Sequence, residues 1–337
     1  MTTVRWMRSL AAPEDIGALV AARCGLTVTG CELVRSLTND VYRVRATGGD
    51  VACKVYGAGR WSVSEVAWEQ DLAAHLAAHG VTAATPVPLD DAVHGTALGG
   101  TAVRDTTVHG TAVHDTTVHG KAGRGKAGRG TLVGTIDAPE GIRPFTVTAW
   151  ATSAKPRPPW SDALFHRYGA ALARFHLAAD SFVSDHPART GDPLSTLDQS
   201  LRWIGDPMVH EVAAAARPFL TGVVDIGVRH GDASLDNIQV TDGGVLLWHD
   251  FDLAGVGPRA ADLTGAHGGA HWDTVLDGYT TLRPIDTGGI VALRVVELVR
   301  NIAWHLRDKV AMRGTESVGE GWVDRELESL RELRDRL

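Results

Sequence analysis

The tightest constraint on this chain is the stretch 228–262, V-R-H-G-D-A-S-L-D-N-I-Q-V-T-D-G-G-V-L-L-W-H-D-F-D-L-A-G-V-G-P-R-A-A-D. Two short apolar runs, 238–240 and 245–248, flank Thr241-Asp242-Gly243-Gly244. An Asp-Gly or Gly-Gly turn between such runs folds them back antiparallel. Asn237, entering the first run, and Asp250, leaving the second, therefore return to the same end of one hairpin. An amide oxygen and a carboxylate brought together are hard ligands that suit Mg²⁺, which keeps part of its water and is usually completed by substrate phosphates. Asp232 precedes Asn237 on the same loop, within reach of the proton of a hydroxyl attacking a phosphate held there. The spacing predicts phosphoryl transfer.

The order H-G-D-x-x-x-x-N then D-F-D resembles the kinase catalytic loop H-R-D-x-x-x-x-N and its D-F-G metal turn. Gly231 stands for the arginine and Asp252 for the glycine. Those forms are similar to the aminoglycoside phosphotransferase and choline or homoserine kinase-like superfamily, in which an Asp such as Asp262 follows in G-x-x-x-x-D-L. The resemblance implies an α+β, protein-kinase-like fold of two lobes. Residues 1–148 would form a small N-terminal antiparallel sheet lobe with one key helix, and residues 149–337 a larger, mainly helical lobe for catalysis and substrate binding. It further implies Asp232 as the catalytic base, His230 as the brace of its loop, and Asn237 and Asp250 as Mg²⁺ ligands. Asp252 would orient the metal site or take a second Mg²⁺. The alternative, a solvated acidic loop, requires several ordered matches to be accidental.

Upstream, Pro13-Glu14-Asp15 opens a short apolar-periodic helix ending near Gly25, with proline and acids where a first turn favours them. The runs 28–33, 41–44 and 51–56 read as strands. The turn Ser36-Leu37-Thr38-Asn39-Asp40 lacks the glycines of a protein-kinase phosphate loop, and Ser36, Thr38 and Asn39 are candidate phosphate donors, as in the polar loops of the resembling kinases. Lys54, inside V-A-C-K-V-Y, has a charge to place among apolar neighbours, which favours a buried partner or a phosphate over a lysine stretching to water. Ser62-Val63-Ser64-Glu65 is a capping box that starts the next helix. Glu69, one turn inside, precedes Leu76 and Gly80 in the pattern E-x6-L-x3-G of the resembling family, and is assigned as the ion-pair partner of Lys54. Glu65, engaged by the cap, is the runner-up.

Residues 101–110 and 111–120 are near-identical decapeptides, followed by K-A-G-R-G twice. Two copies without an apolar stripe are too little for a solenoid, so 92–130 is expected to be a flexible insertion. Its periodic histidines, with His94, show no compact ligand set. Removing it joins Pro86-Val87-Pro88 to Leu132-Val133, a turn at P-E-G-I-R-P and a strand over 145–148. By resemblance, the backbone of the crossing that follows, Ala149-Trp150-Ala151, binds the adenine edge of ATP, with GTP as the alternative.

From Ser161 onward the periodicity is helical, with helices in 161–178, 201–220 and 290–307. His166, His176 and His305 are expected to pack or face solvent, and Trp203, Trp272 and Trp304 to serve the core in preference to an acceptor pocket. Residues 1–150 carry 14 basic against 14 acidic side chains, so the formal charge of −7 lies wholly in 151–337, with 19 against 26. An acidic half attracts a cationic small-molecule substrate and gives no footprint for nucleic acid. Ordinary solubility charge would look the same. No apolar run approaches membrane-span length, no signal-peptide order opens the chain, and Cys24, Cys31 and Cys53 lack metal or redox spacing. The expectation is a cytoplasmic, ATP- and Mg²⁺-dependent kinase of a hydroxylated, cationic antibiotic, as in antibiotic resistance. The alternatives are a metabolic kinase of homoserine, choline or a sugar, a stress-type protein kinase, and an inactive binding module.

Overall fold

In the computed structural model described here, residues 8–90, 130–151, 153–313 and 320–337 are described. The expected insertion, with His94, His109, His114 and His119, lies outside them apart from Gly130.

Strand alternation builds the first half. Helix α1 (Pro13–Cys24) leads into β1 (Val28–Ser36), β2 (Asp40–Ala46) and β3 (Val51–Val55), and the same sheet is completed by β4 (Gly134–Ala138) and β5 (Gly141–Ala149). Its order is β1-β2-β3-β5-β4, with every neighbouring pair antiparallel. Because side chains alternate across a strand, Tyr42, Val44, Cys53, Val55, Phe145 and Val147 share one face and pack on Ile16 and Val20 of α1. Lys54, between Cys53 and Val55, is thereby sent to the other face. Val87 N–H donates to Val147 O at 2.8 Å and Leu89 N–H to Thr131 O at 2.7 Å, so the flanks of 92–130 meet at the sheet as expected. Strand β5 starts before the expected 145–148, because Ile142, Arg143 and Pro144 already pair with β4.

Helix α2 (Val63–Ala78) begins at the expected capping box: Glu65 N–H donates to Ser62 Oγ at 3.2 Å, and Ser62 N–H to Glu65 Oε2 at 2.9 Å. Its Trp68, Leu72 and Leu76 join the core formed by Leu172 and Phe175 of α3 (Asp162–Ala179) with Trp248 and Phe251. The helix that follows the sheet strands in sequence thus packs on the helical half. Helices α3 and α6 (Trp272–Thr280) cross closely because Gly169 lacks a side chain; a Cβ there would stand 2.0 Å from Val275 O.

The remaining helices are α4 (Pro193–Leu201), α5 (Pro207–Leu220), α7 (Ile290–Ala303), α8 (Lys309–Arg313) and α9 (Trp322–Arg334), with α7 central to a second core. In 201–220 the helix starts only at Pro207, where Asp206 caps it by accepting from Met208 N–H at 2.9 Å. Trp203 falls in the break before it and is half exposed under Arg307, a correction to its expected place in the core. Past Ala303 the backbone widens into a π-turn at Trp304–Asp308. Short strands β6 (Ser153–Ala154), β8 (Ile238–Thr241) and β9 (Leu246–Trp248) form one small sheet, and β7 (Ile226–Arg229) pairs with β10 (Gly255–Pro258). Among the described residues no helix is long and apolar enough to cross a membrane.

Candidate active site

The predicted hairpin forms as β8 and β9, with Gly244 N–H donating to Thr241 O at 2.8 Å across its turn. At its open end His249 N–H donates to Asn237 O at 3.1 Å, which brings Asn237 beside Asp250. Asn237 Nδ2 donates to Asp232 Oδ2 at 2.8 Å and to Asp232 O at 2.9 Å. This fixes the Asp232 carboxylate, which is otherwise exposed, while Asn237 is buried. Gly231 holds φ at +81°, and a Cβ there would lie 1.9 Å from Leu253 O. The loop therefore excludes the arginine that protein kinases carry at this place.

The loop is suspended from Asp262. This carboxylate accepts from His230 N–H at 2.6 Å and Gly231 N–H at 2.8 Å, and His176 Nε2 stands 3.2 Å from it. The other ring nitrogen of His176 takes the Tyr279 hydroxyl at 2.7 Å. Burial raises the Asp262 carboxyl, but the hydrogen bond and charge of His176, with Arg229 nearby, hold it below the ordinary carboxylate range. Burial lowers both His176 and His230 despite the acids around them. His230 braces the loop through its backbone and through Nε2, 3.2 Å from His249 O. His176 was expected to pack or face solvent; it is buried and shares Asp262 with the loop. Helical periodicity identified its buried face but not that partner.

Lys54 enters from the sheet side. Its ammonium donates to Asp250 at 2.9 Å and to Asp252, and lies 3.8 Å from Glu69 Oε1. The pairing assigned to Glu69 is therefore present, but beyond hydrogen-bond reach and secondary to the two aspartates. Burial would lower the Lys54 pKa, yet Asp250 and Asp252 outweigh it and keep the ammonium charged well above its ordinary range. Burial raises Asp250 too, but Lys54 pulls it well below the carboxylate range. In Asp252 burial wins, helped by Asp250 and Glu69 against Lys54, and the carboxyl is pushed up to about 7. Asp250 sits in the left-handed region at φ +64°, a conformation that Asp tolerates better than most residues.

The remaining predicted residues divide. Ser36 closes β1 and gives its hydroxyl to Asp40 at 2.8 Å. Asn39 is buried and donates to Asp252 across 213 positions of sequence. Thr38 has no side-chain partner among the described residues. At the crossing, Ala149 N–H is bonded to Thr85 O at 2.9 Å and Trp150 N–H to Asp50 O at 3.0 Å, while Ala151 N–H has no backbone acceptor among the described residues. The Trp150 ring lies 5.0 Å from the Arg43 guanidinium. Two residues escaped the sequence reading. Tyr56 donates its hydroxyl to Glu69 Oε1 at 2.7 Å, with Lys54 4.9 Å from its ring. Arg189 holds Glu69 Oε2 at 3.0 Å.

The donor set fits Mg²⁺. Asn237 commits its amide nitrogen to Asp232, which leaves its oxygen for a ligand, and the Asp250 side chain is 30% exposed. Asp252 is only 9% exposed and engages both carboxylate oxygens with Lys54 and Asn39. Among the described residues no three His, Cys, Asp or Glu side chains form a metal-holding group. An ion here would receive from the protein a partial shell of hard oxygens, the arrangement Mg²⁺ accepts when phosphates and water complete it.

Comparison with known proteins places the chain by family and fold. The model of the phosphotransferase enzyme family matches residues 30–282. An uncharacterized protein of Deinococcus radiodurans is 27% identical over 359 positions, spanning 98% of this chain and 92% of its own length. Among solved structures, amicoumacin kinase in complex with AMP-PNP, Ca²⁺ and Ami superposes with a TM-score of 0.72 at 15% identity, over 97% of this chain and 94% of that one. A microcompartment-associated aminopropanol kinase gives 0.65 at 17% identity over 95% of each. The shared element is the fold.

Proposed function

The chain belongs to the phosphotransferase enzyme family, and we propose that it moves the γ-phosphoryl group of ATP onto a hydroxyl of a small cationic molecule, foremost an aminoglycoside-like or related antibiotic. The observation that carries this reading is the meeting of an exposed Asp232 carboxylate with the Asn237 amide and Asp250 at one end of the hairpin.

In this reading ATP lies between residues 1–148 and 149–337, with its adenine edge at Ala149, Trp150 and Ala151, and GTP is the alternative donor. Thr38 faces the phosphates, and Asn39 fixes Asp252 beneath them. Lys54 carries a protonated ammonium to the phosphates. Asn237 and Asp250 would hold Mg²⁺, which when bound would neutralise phosphate charge. Asp232, oriented by Asn237 Nδ2, receives the acceptor's hydroxyl proton late in the transfer. Positioning and charge neutralisation supply most of the rate. The charge of −7 confined to 151–337 supports a cationic acceptor. The likeness to an aminopropanol kinase supports a second reading, a metabolic amino-alcohol or choline-type kinase, which keeps the same cationic chemistry. Either reaction belongs in the cytoplasm, where ATP is supplied.

The test is nucleotide consumption by the purified protein with Mg²⁺ across hydroxylated antibiotics, choline, amino alcohols, homoserine and amino sugars, with Asp232→Ala as the blank. Turnover that depends on one acceptor and on Asp232 supports the proposal and names the substrate class. Equal turnover in Asp232→Ala removes the assigned mechanism, and a wild-type protein that does not bind the nucleotide removes the activity.

A further inference from the structure

Strand β1 does not keep its alternation to the end. Leu33 stands opposite Tyr42 and Arg35 opposite Val41, so Val34 has no partner in β2 and forms a bulge. Leu33 packs with Tyr42 on the core between the sheet and α1. Strict alternation would send Arg35, two residues on, to that same apolar face; the extra residue turns it to the other. A bulge re-aims a side chain in this way, and bulges collect beside active sites. The row that receives Arg35 continues across the sheet, where Arg35 is opposite Val41 and Val41 is opposite Lys54. Directly opposed residues share a face. The Arg35 and Lys54 side chains therefore leave the sheet on the same side, from backbones two strand spacings, or roughly 10 Å, apart.

The neighbouring arginines are engaged: Arg8 binds Asp40, Arg43 pairs with Asp50 at 2.6 Å and Arg45 with Glu32 at 2.6 Å. Arg35 is exposed and has no hydrogen bond or ion pair among the described residues. It precedes the turn whose Asn39 reaches Asp252. Burial raises the Asp250 carboxyl, and Arg35 is one of the cations, behind Lys54, that draw it down.

We propose that Arg35 is a further phosphate-binding residue, which takes the terminal phosphates of the bound nucleotide from the β1 side of the sheet face that carries Lys54. The inference rests on the phosphotransfer reading above. Asp250 and Asp252 offset the charge of Lys54, so a polyphosphate approaching this face needs further positive charge from the protein. Arg43, on the same face, is engaged by Asp50. Arg35 has its whole guanidinium to give. Its planar fork of donors can meet two phosphate oxygens at once, whereas a lysine ammonium meets them as a point charge.

The experiment is calorimetric binding of AMP-PNP and of AMP, each with Mg²⁺, to wild type, Arg35→Gln, Arg35→Lys and Arg45→Gln, with melting curves alongside. Arg35→Gln should raise the Kd for AMP-PNP about tenfold, the scale of a charge-assisted hydrogen bond or two. It should leave the Kd for AMP within about twofold, because AMP lacks the phosphates that Arg35 holds. Arg35→Lys should keep part of the affinity. Arg45→Gln takes the same charge from the same sheet, at a residue paired with Glu32, and should leave both constants unmoved. The melting temperature of Arg35→Gln should match wild type, since the exposed side chain has no partner to lose. An Arg35→Gln protein that binds AMP-PNP within about twofold of wild type overturns the proposal alone. A loss that AMP shares equally, or that Arg45→Gln reproduces, overturns it too. Wild-type protein that does not bind AMP-PNP with Mg²⁺ overturns the phosphotransfer reading and this proposal with it.

Discussion

Asp232 and Asp252 belong to one short stretch of chain, yet their surroundings are opposite. The loop at 230–237 is held through its backbone: Asp262 takes the N–H groups of His230 and Gly231, and the Asp232 carboxylate stays exposed with Asn237 as its side-chain partner. The turn at 250–252 is held through its side chains as well, with Lys54 on both carboxylates, Asn39 on Asp252 and Arg189 on the carbonyls. Backbone anchoring fixes where a carboxylate stands without filling the space before it, which suits a group that must meet a variable acceptor. Side-chain anchoring fills that space and, in the proposed phosphotransfer, would suit a site whose ligand, an ion on a phosphate chain, does not vary. The cost falls on Asp252, whose carboxyl is pushed up to about 7 by burial among other acids.

This contrast can be broken at either end. The largest effect expected is that of Asp232→Ala: turnover should fall by about 10²–10⁴-fold, the usual worth of a positioned general base, with binding of AMP-PNP and Mg²⁺ unchanged within about twofold. Near wild-type turnover would show that the open carboxylate is not the base. Asp250→Asn should act on the other side of the comparison. It should weaken Mg²⁺-dependent nucleotide binding by at least the roughly 10–100-fold that even outer partners of a metal cost, and a calorimetric titration that shows no shift would place the ion elsewhere.

Asp262→Asn tests the suspension of the loop at 230–237. It should cost about 1.5–3 kcal/mol for each charged hydrogen bond lost, read as a lower melting temperature. It should also change the acid limb. The folded Asp262 carboxyl lies below its ordinary value, so its stabilisation is complete above roughly pH 4, its unfolded pKa, and is lost as the pH falls through the folded value. The wild-type melting temperature should drop through that window, and the Asp262→Asn curve should be flatter there; parallel curves would contradict the assignment. The smallest effect is expected from Ser62→Ala, which removes the cap of α2 and should cost about 1 kcal/mol. A melting temperature unchanged by that substitution would mean that packing on the helical core, not the cap, sets where α2 begins.

Much of the site was legible in the sequence because it is built from neighbours. The hairpin that returns Asn237 beside Asp250, the glycine at 231, the capping box at Ser62 and the helix from Pro13 all depend on residues a few positions apart, and turn chemistry and periodicity report on that range. The helical stretch 201–220 was read less well because Gly205-Asp206-Pro207 interrupts an otherwise continuous apolar pattern, and the break left Trp203 half exposed. Other features carried no local signal at all: α2 packing on the helical core, His176 sharing Asp262 with the loop at 230–237, and Asn39 reaching Asp252.

The amino-acid sequence by itself therefore determined the family, the order of the strands and helices around the site, and which residue types meet at the hairpin. How Lys54 divides its charge among Asp250, Asp252 and Glu69 was decided only by the tertiary structure, and so was the place of Arg189 between α2 and the Asp250-Phe251-Asp252 turn. The reason is physical. Backbone conformation answers to near neighbours, whereas the partner of a buried charge is chosen by whichever groups the finished packing leaves within about 4 Å of it, and across that distance a low-dielectric interior makes each such choice worth several kcal/mol.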